Sequence, residues 1–180
     1  MANPRFETEM YTADKYVESA GTVLFKLSTR EVCILHQLFR EEYILPKGRR
    51  NLNESRQATA IRETTEKTGI SCRLLPVNLV SRVRPTAENE DLPDKAARLF
   101  KGSCEPIMLR TRCIREGEIK LIWWFVAAVN EGEPISFLEE YKLDVEFHSY
   151  DTVLRELTFK DDRDLVEKAI KLVESSVDSQ

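Results

Sequence analysis

The chain has 180 residues, 42% of them hydrophobic and 32% charged, with six Gly and seven Pro. That is enough apolar material for one core, and it excludes a collagen-like or disordered chain. Twenty-seven Lys and Arg stand against 31 Asp and Glu, a formal charge of −4, which argues against a basic nucleic-acid binder. The longest apolar run, Leu121 to Val129, is nine residues, well short of the ~20 a membrane helix needs. The polar start, MANPRFETEMYTADKY, has no apolar signal-peptide centre. Cys33, Cys72, Cys104 and Cys113 form no C-x-x-C pair, and only His36 and His148 could join them, so a zinc site has little support. Reduced thiols in a cytoplasmic or nuclear protein are the simplest account. No repeat or long linker divides the chain, which reads as one domain over 16–175 between tails at 1–15 and 176–180.

In chain order, Val17 to Leu27 and Val32 to Phe39 predict a hairpin of β-branched and aromatic strands joined at Ser28-Thr29-Arg30. Tyr43 to Leu45 predicts a short strand, stopped by Pro46. A loop over Lys47 to Asn53 should lead into a helix from about Glu54 to Lys67, capped by Asn53 and ended at Gly69. Ala58, Ile61 and Thr65 share one side of that helix and are expected to face the core. Strands are expected at Arg73 to Val83, Pro106 to Ile114 and Lys120 to Val129. The polar stretch Arg84 to Cys104 reads as a mobile loop. Trp123 and Trp124 alternate sides of their strand, one for the core and the other for a cleft or helix. Arg110, Arg112 and Arg115 read as a solvated edge, with a phosphate clamp as the alternative. Asp151 can cap a short helical turn, and Leu165, Val166, Ala169, Ile170 and Val173 repeat at helical spacing in a last helix. Strands mixed with helices in this order imply an α/β or α+β sandwich.

The chemistry gathers in Gly48 to Ile70, GRRNLNESRQATAIRETTEKTGI. At ~100° per residue Glu63 and Glu66 lie ~60° apart, so both carboxylates leave the helix on one side. Carboxylates beside a basic loop suit a hard divalent cation that holds phosphate oxygens. Lys47, Arg49 and Arg50 would neutralise the phosphate charge. Glu63 and Lys67, at i and i+4, also suit an ordinary helix ion pair worth ~0.3–0.5 kcal/mol. Glu54 and Arg62 suit a bridge from loop to helix.

This stretch resembles the signature of the Nudix hydrolases, whose pattern is a Gly, five residues, a Glu, seven residues, then Arg-Glu-U-x-Glu-Glu-x-Gly-U with U a bulky aliphatic. Gly48, Glu54, Arg62, Glu63, Glu66, Gly69 and Ile70 stand in register. SAGTVLF, YILPKG, LIWWFVAAV and EFHSYDTVLRELTF are similar to further parts of the family, so the resemblance runs from Val17 to Val173. It implies an α/β/α sandwich with a central mixed sheet and the box loop and helix at one side. It also implies hydrolysis of a diphosphate linkage, with Mg²⁺ or Mn²⁺ held by Glu63, Glu66, the Gly48 carbonyl and an additional acid, for which Glu139 and Glu140 are candidates. Glu63 is the residue expected to ligate metal or to orient and deprotonate the water. Glu54, Arg62 and Gly69 are implied to be structural.

Two positions depart from the pattern. Thr64 replaces an aliphatic, and Lys67 replaces an acid that commonly ligates the metal. An ammonium ~5 Å from a divalent ion, at an effective dielectric of ~20, is repelled by roughly 7 kcal/mol before side chains relax. The alternative implied is a Nudix-fold ligand-binding or protein-interaction module impaired in turnover. The partner in the first case is a small phosphorylated substrate. Pro46-Lys47-Gly48 looks like the box approach of diadenosine tetraphosphate hydrolases, and the basic loop also fits diphosphoinositol polyphosphates. No sequence feature points to an oligomeric state.

Overall fold

The computed structural model describes residues 6–84, 96–134 and 143–177. Among these described residues, ten strands and three helices follow in order: β1 (Tyr16–Lys26), β2 (Glu31–Gln37), β3 (Glu42–Ile44), β4 (Lys47–Arg49), α1 (Arg56–Thr68), β5 (Cys72–Leu74), β6 (Val77–Ser81), β7 (Arg98–Ser103), β8 (Met108–Arg115), β9 (Glu118–Val129), β10 (Leu143–Ser149), α2 (Tyr150–Glu156) and α3 (Lys160–Val177). The main sheet runs β10-β2-β1-β9-β5, with β3 on β2, β4 on β1 and β8 on β9. Its central pair, β1 and β9, is parallel over Tyr16↔Ile119 to Phe25↔Ala128, whereas β4 and β8 pair antiparallel. The sheet is therefore mixed.

Side chains alternate across a strand, so the register sorts the core into two layers. Val23, Phe25, Ile122, Trp124 and Val126 pack with Val153, Leu157, Leu165 and Val166, which puts α2 and α3 on one face. Ala20 and Phe125 pack with Ala60, which puts α1 on the other. The expected α/β/α sandwich is thus observed. At ~25 cal/mol per Å² of apolar surface, the larger layer under α2 and α3 carries most of the burial.

Several local expectations change. The segment at Lys47 to Asn53 is not wholly a loop, because Lys47–Arg49 pairs with β1 as β4. Ser55, not Asn53, caps α1, its hydroxyl accepting from the Ala58 N–H at 3.1 Å; Asn53 takes φ 62° two residues earlier. Gly69 ends the helix at φ 68°, as expected. The stretch expected as one strand over Arg73 to Val83 divides at Leu75-Pro76 into β5 and β6, which join different sheets. Arg98 to Ser103, expected to be loop, forms β7 against β6, since Leu99 and Phe100 supply strand formers that the surrounding polar composition masks. Residues 85–95 of that segment lie outside the described residues. Ser149, not Asp151, precedes α2, without a side-chain cap. The last helix continues through Val177, past the expected domain end at 175. No helix among the described residues is long and apolar enough to cross a membrane. All four cysteines are free, with Cys33 and Cys72 buried.

Candidate functional site

The main local correction concerns α1. Its buried residues are Thr59, Ala60, Glu63, Thr64 and Thr68, whereas Ala58 is exposed and Ile61 and Thr65 are only half-buried. Of the expected stripe, Ile61 packs at the edge of the core against Leu24, Cys33 and Ile70, but the centre of the buried face lies further round, at Ala60, Glu63 and Thr64. The sheet under α1 offers a hydroxyl and small residues: Thr22 Oγ1 and Thr64 Oγ1 share a buried hydrogen bond of 2.8 Å, and Ala60 meets Ala20. Thr64 therefore occupies an aliphatic's place because it has a hydroxyl partner below it.

The same close approach seats Glu63. A Cβ on Gly48 would occupy the space that the Glu63 carboxylate fills, so only glycine at position 48 leaves room for that acid beside the strand. Glu63 is 9% exposed. Arg62 binds four groups around it. Its Nε and Nη2 donate to Glu54 at 2.7 and 2.9 Å, its Nη1 to Glu63 at 2.9 Å and Glu66 at 3.0 Å, and its Nη2 also reaches the Arg49 carbonyl at 3.0 Å. The expected Glu54–Arg62 bridge is present, bidentate, and its hydrogen bonds draw the Glu54 carboxyl down to about 2. Arg62 is itself pushed above the usual guanidinium range, chiefly by Glu54. One guanidinium thus ties loop to helix and holds the two carboxylates together.

Lys67 lies 4.0 Å from Glu63 Oε2, the expected i,i+4 pair. Glu63, Glu66 and the Gly48 backbone present hard oxygen donors within one glycine-shaped cradle, a chemistry that suits Mg²⁺ or Mn²⁺. Among the described residues no three acidic, His or Cys side chains gather as a metal cluster, and the candidates Glu139 and Glu140 lie outside the described residues.

Around the carboxylates the positive side chains divide by role. Arg50 is committed to structure: its Nε donates to Glu18 at 2.9 Å and its Nη1 to the Glu54 carbonyl at 3.0 Å. Glu18 also accepts from Arg56 at 2.7 Å and from Trp123 Nε1 at 3.1 Å, with Arg56 lying 4.0 Å over the Trp123 ring. Burial pushes the Glu18 carboxyl up, but hydrogen bonds from Arg56 and Trp123 outweigh it and leave the group below the usual range. Of the tryptophan pair, Trp124 is the fully buried one.

Lys47 and Arg49 flank the Gly48 cradle on β4 but project from its other side. Their partners across the pairing are Gly21 and Ser19, which puts both on the sheet face opposite α1. Burial lowers Lys47 to about 8, helped by the charges of Lys120 and Arg112. Arg110 is not a solvated edge. Its side chain is 12% exposed and its Nη1 donates to Asp162 of α3 at 2.7 Å. Arg115, by contrast, is exposed and paired with Glu118 at 2.6 Å. A cavity of about 360 Å³ opens here, lined by Gln37, Lys47, Arg110, Arg112, Trp124 and Asp162 among others. Sequence reasoning missed Lys120 and Asp162. The two-residue spacing of Arg110 and Arg112 was the visible signal, but the partner across the ladder was not.

No protein-family model matches the chain, and no curated protein matches it. Solved structures do. A crystal structure of the C. elegans Ap4A hydrolase superposes with a TM-score of 0.55 at 18% identity, over 85% of this chain and 95% of that one. Its binary complex gives 0.60 at 18% identity, over 88% and 98%. A NUDIX hydrolase from Nitrosomonas europaea gives 0.53 at 16%, over 86% and 88%. The chain therefore has the Nudix fold. Among the proteins that share it with this chain is a hydrolase of Ap4A.

Proposed function

We infer that this protein is a pyrophosphohydrolase that cleaves a diphosphate linkage in a small phosphorylated molecule. The observation that carries this reading is the Glu63 carboxylate, seated in the space that Gly48 leaves open and joined through Arg62 to Glu66. Glu63, Glu66 and the Gly48 carbonyl would hold Mg²⁺ or Mn²⁺, with a further acid such as Glu139 or Glu140. Bound there, the cation supplies charge neutralisation of the diphosphate and a more acidic water. Glu63 orients and deprotonates the attacking water. Arg62 keeps both carboxylates on one bearing, which limits the reorganisation needed when substrate arrives. Lys47 and Arg49 receive phosphate oxygens, whereas Arg50 stays with Glu18. Dinucleoside polyphosphates and diphosphoinositol polyphosphates both offer adjacent phosphates of the required kind, and the basic loop favours them over nucleotides with a single diphosphate.

The test is a panel of dinucleoside polyphosphates, nucleoside diphosphate sugars and inositol pyrophosphates, assayed with Mg²⁺ and with Mn²⁺. Glu63→Gln combined with Glu66→Gln is expected to lower turnover by about 10²-fold or more, with an unchanged circular dichroism spectrum. Wild-type turnover in that folded double variant would end this reading.

One observation favours a second reading, a binding module impaired in turnover: the Lys67 ammonium stands 4.0 Å from Glu63 Oε2, where the Nudix pattern has an acid. Lys67→Glu separates the two. A gain of several orders of magnitude identifies the natural chain as impaired, and a rate within a few-fold of wild type identifies it as an enzyme that draws the missing ligand from another acid.

A further inference from the structure

β6 and β7 form a sheet of their own, apart from the main one. Val77 and Leu79 of β6 are buried in the core layer that includes Leu172 and Val173 of α3. The Asn78 N–H donates to Ser176 Oγ at 2.8 Å. The other side of this small sheet is bare: Val80 and Leu99 stand directly across from each other and are 60% and 59% exposed. Among the described residues β7 pairs only with β6, so its outer edge offers backbone donors and acceptors to another strand. A sheet of two strands is marginal by itself and gains from a third. Its charge also departs from that of the whole chain. Residues 77–84 and 96–104 carry Arg82, Arg84, Arg98 and Lys101 and no acid, in a protein of net charge −4. Arg82 and Lys101 are exposed. An apolar centre rimmed by cations fits an acidic strand with alternating apolar side chains.

The chain holds such a segment in the open. Residues 6–14, FETEMYTAD, carry Glu7, Glu9 and Asp14 and no cation. Over 7–12 they form neither helix, strand nor turn, and Phe6 and Met10 are 80% and 90% exposed. Among the described residues the hydrogen bonds of 6–12 stay local. Thr8 donates to the Phe6 carbonyl, Tyr11 to Glu9, and the Lys15 N–H to the Thr12 carbonyl. Phe6, Thr8 and Met10 alternate with Glu7 and Glu9, which is the period of a strand. Laid along β7 with Phe6 and Met10 beside Leu99, the segment turns Glu7 and Glu9 to the face that Arg98 shares.

Within one copy the two surfaces lie at opposite ends of β1. Lys15 fixes the segment beside the β8–β9 turn, through Glu118 at 3.3 Å and the Ile119 N–H at 3.0 Å. β6 is fastened near the end of α3, where Glu174 meets Arg30 just past the other end of β1. The 11 residues of β1 span roughly 36 Å at the usual strand rise. A second copy brings segment and edge together, and a two-fold arrangement makes both contacts at once. We propose that two copies of this chain associate reciprocally, residues 6–12 of each adding as a strand to β7 of the other. The contact is independent of the hydrolase reading, since neither Gly48 nor any residue of α1 takes part.

Sedimentation equilibrium on the full chain, from micromolar to submillimolar concentration, tests it. A monomer–dimer equilibrium that weakens with added salt is expected. Arg82→Glu with Lys101→Glu should weaken association about tenfold or more, and so should Glu7→Lys with Glu9→Lys. Phe6→Ser with Met10→Ser should weaken it without any change of charge. Mixing the two charge-reversed proteins should restore association, because each then offers the other a complementary segment and edge. A variant that had merely lost its fold would not be rescued in this way. A monomer at every concentration overturns the proposal and leaves this edge to a partner other than the chain itself. A dimer that these variants leave unchanged, or that mixing fails to restore, overturns it as well. Either result leaves the hydrolase reading standing.

Discussion

Glu54 shows how one side chain can govern the site from outside it. It accepts from Arg62, from the Asn51 N–H at 3.0 Å and from Thr59 at 2.8 Å. Those bonds lower its carboxyl from the ordinary 4.5 to about 2. A carboxyl depressed in the folded state stabilises the fold above its unfolded pKa, and that contribution is lost as pH falls from about 4.5 toward 2. Urea denaturation followed across this range is expected to show the wild type losing stability, while Glu54→Gln starts less stable and declines less. An identical slope for the two proteins would show that Arg62 is held by other groups. At this scale the sequence was informative, because the signature spacing placed Glu54 eight residues before Arg62, in the loop just ahead of the helix that carries Arg62. Arg50 was not legible in the same way. Its partner Glu18 is 32 residues away, and no local pattern joins them.

At the scale of elements, α1 is seated by polar complementarity more than by an apolar stripe. Thr22 and Thr64 satisfy each other between β1 and α1. Thr64→Val keeps the volume but leaves the Thr22 hydroxyl buried without a partner, and is expected to cost about 1–3 kcal/mol in chemical denaturation. Thr22→Val made together with Thr64→Val should return most of that loss, since removing both partners of a buried hydrogen bond can be nearly neutral. Additive losses in the double variant would mean that the two hydroxyls do not depend on each other. The misassigned face of this helix has the same cause. Periodicity reports where apolar side chains lie, and Ile61 is apolar. Glycine at 48 and the hydroxyl at 22 decide which side can come close, and both belong to strands formed by other parts of the sequence.

Across the whole molecule, the Arg110–Asp162 pair fastens the N-terminal turn of α3 to β8, and both side chains are largely buried, at 12% and 7% exposure. Asp162→Ala leaves the guanidinium against the Trp124 ring, 5.6 Å away, with only the exposed Asp161 carboxylate at 3.9 Å as an anionic partner, and is expected to cost up to about 3 kcal/mol. Arg110→Met combined with Asp162→Leu should cost clearly less, because apolar replacements of a buried ion pair are often near neutral. Thermal melts of the two variants against wild type decide this. If the double variant is the less stable, the pair holds α3 by its own attraction.

The sequence by itself determined the hairpin of β1 and β2, the box helix with its Gly69 stop and the Glu54–Arg62 bridge. These are local: a hydrophobic period, a turn residue or a fixed short spacing is enough to specify each. Tertiary structure alone decided that β7 exists, that α1 turns its threonines inward, and that Lys47, Arg112 and Lys120 meet on one face. The reason is that parallel pairing of β1 with β9 joins segments about a hundred residues apart, and neighbours across such a ladder are chosen by register, which no stretch of chain contains on its own.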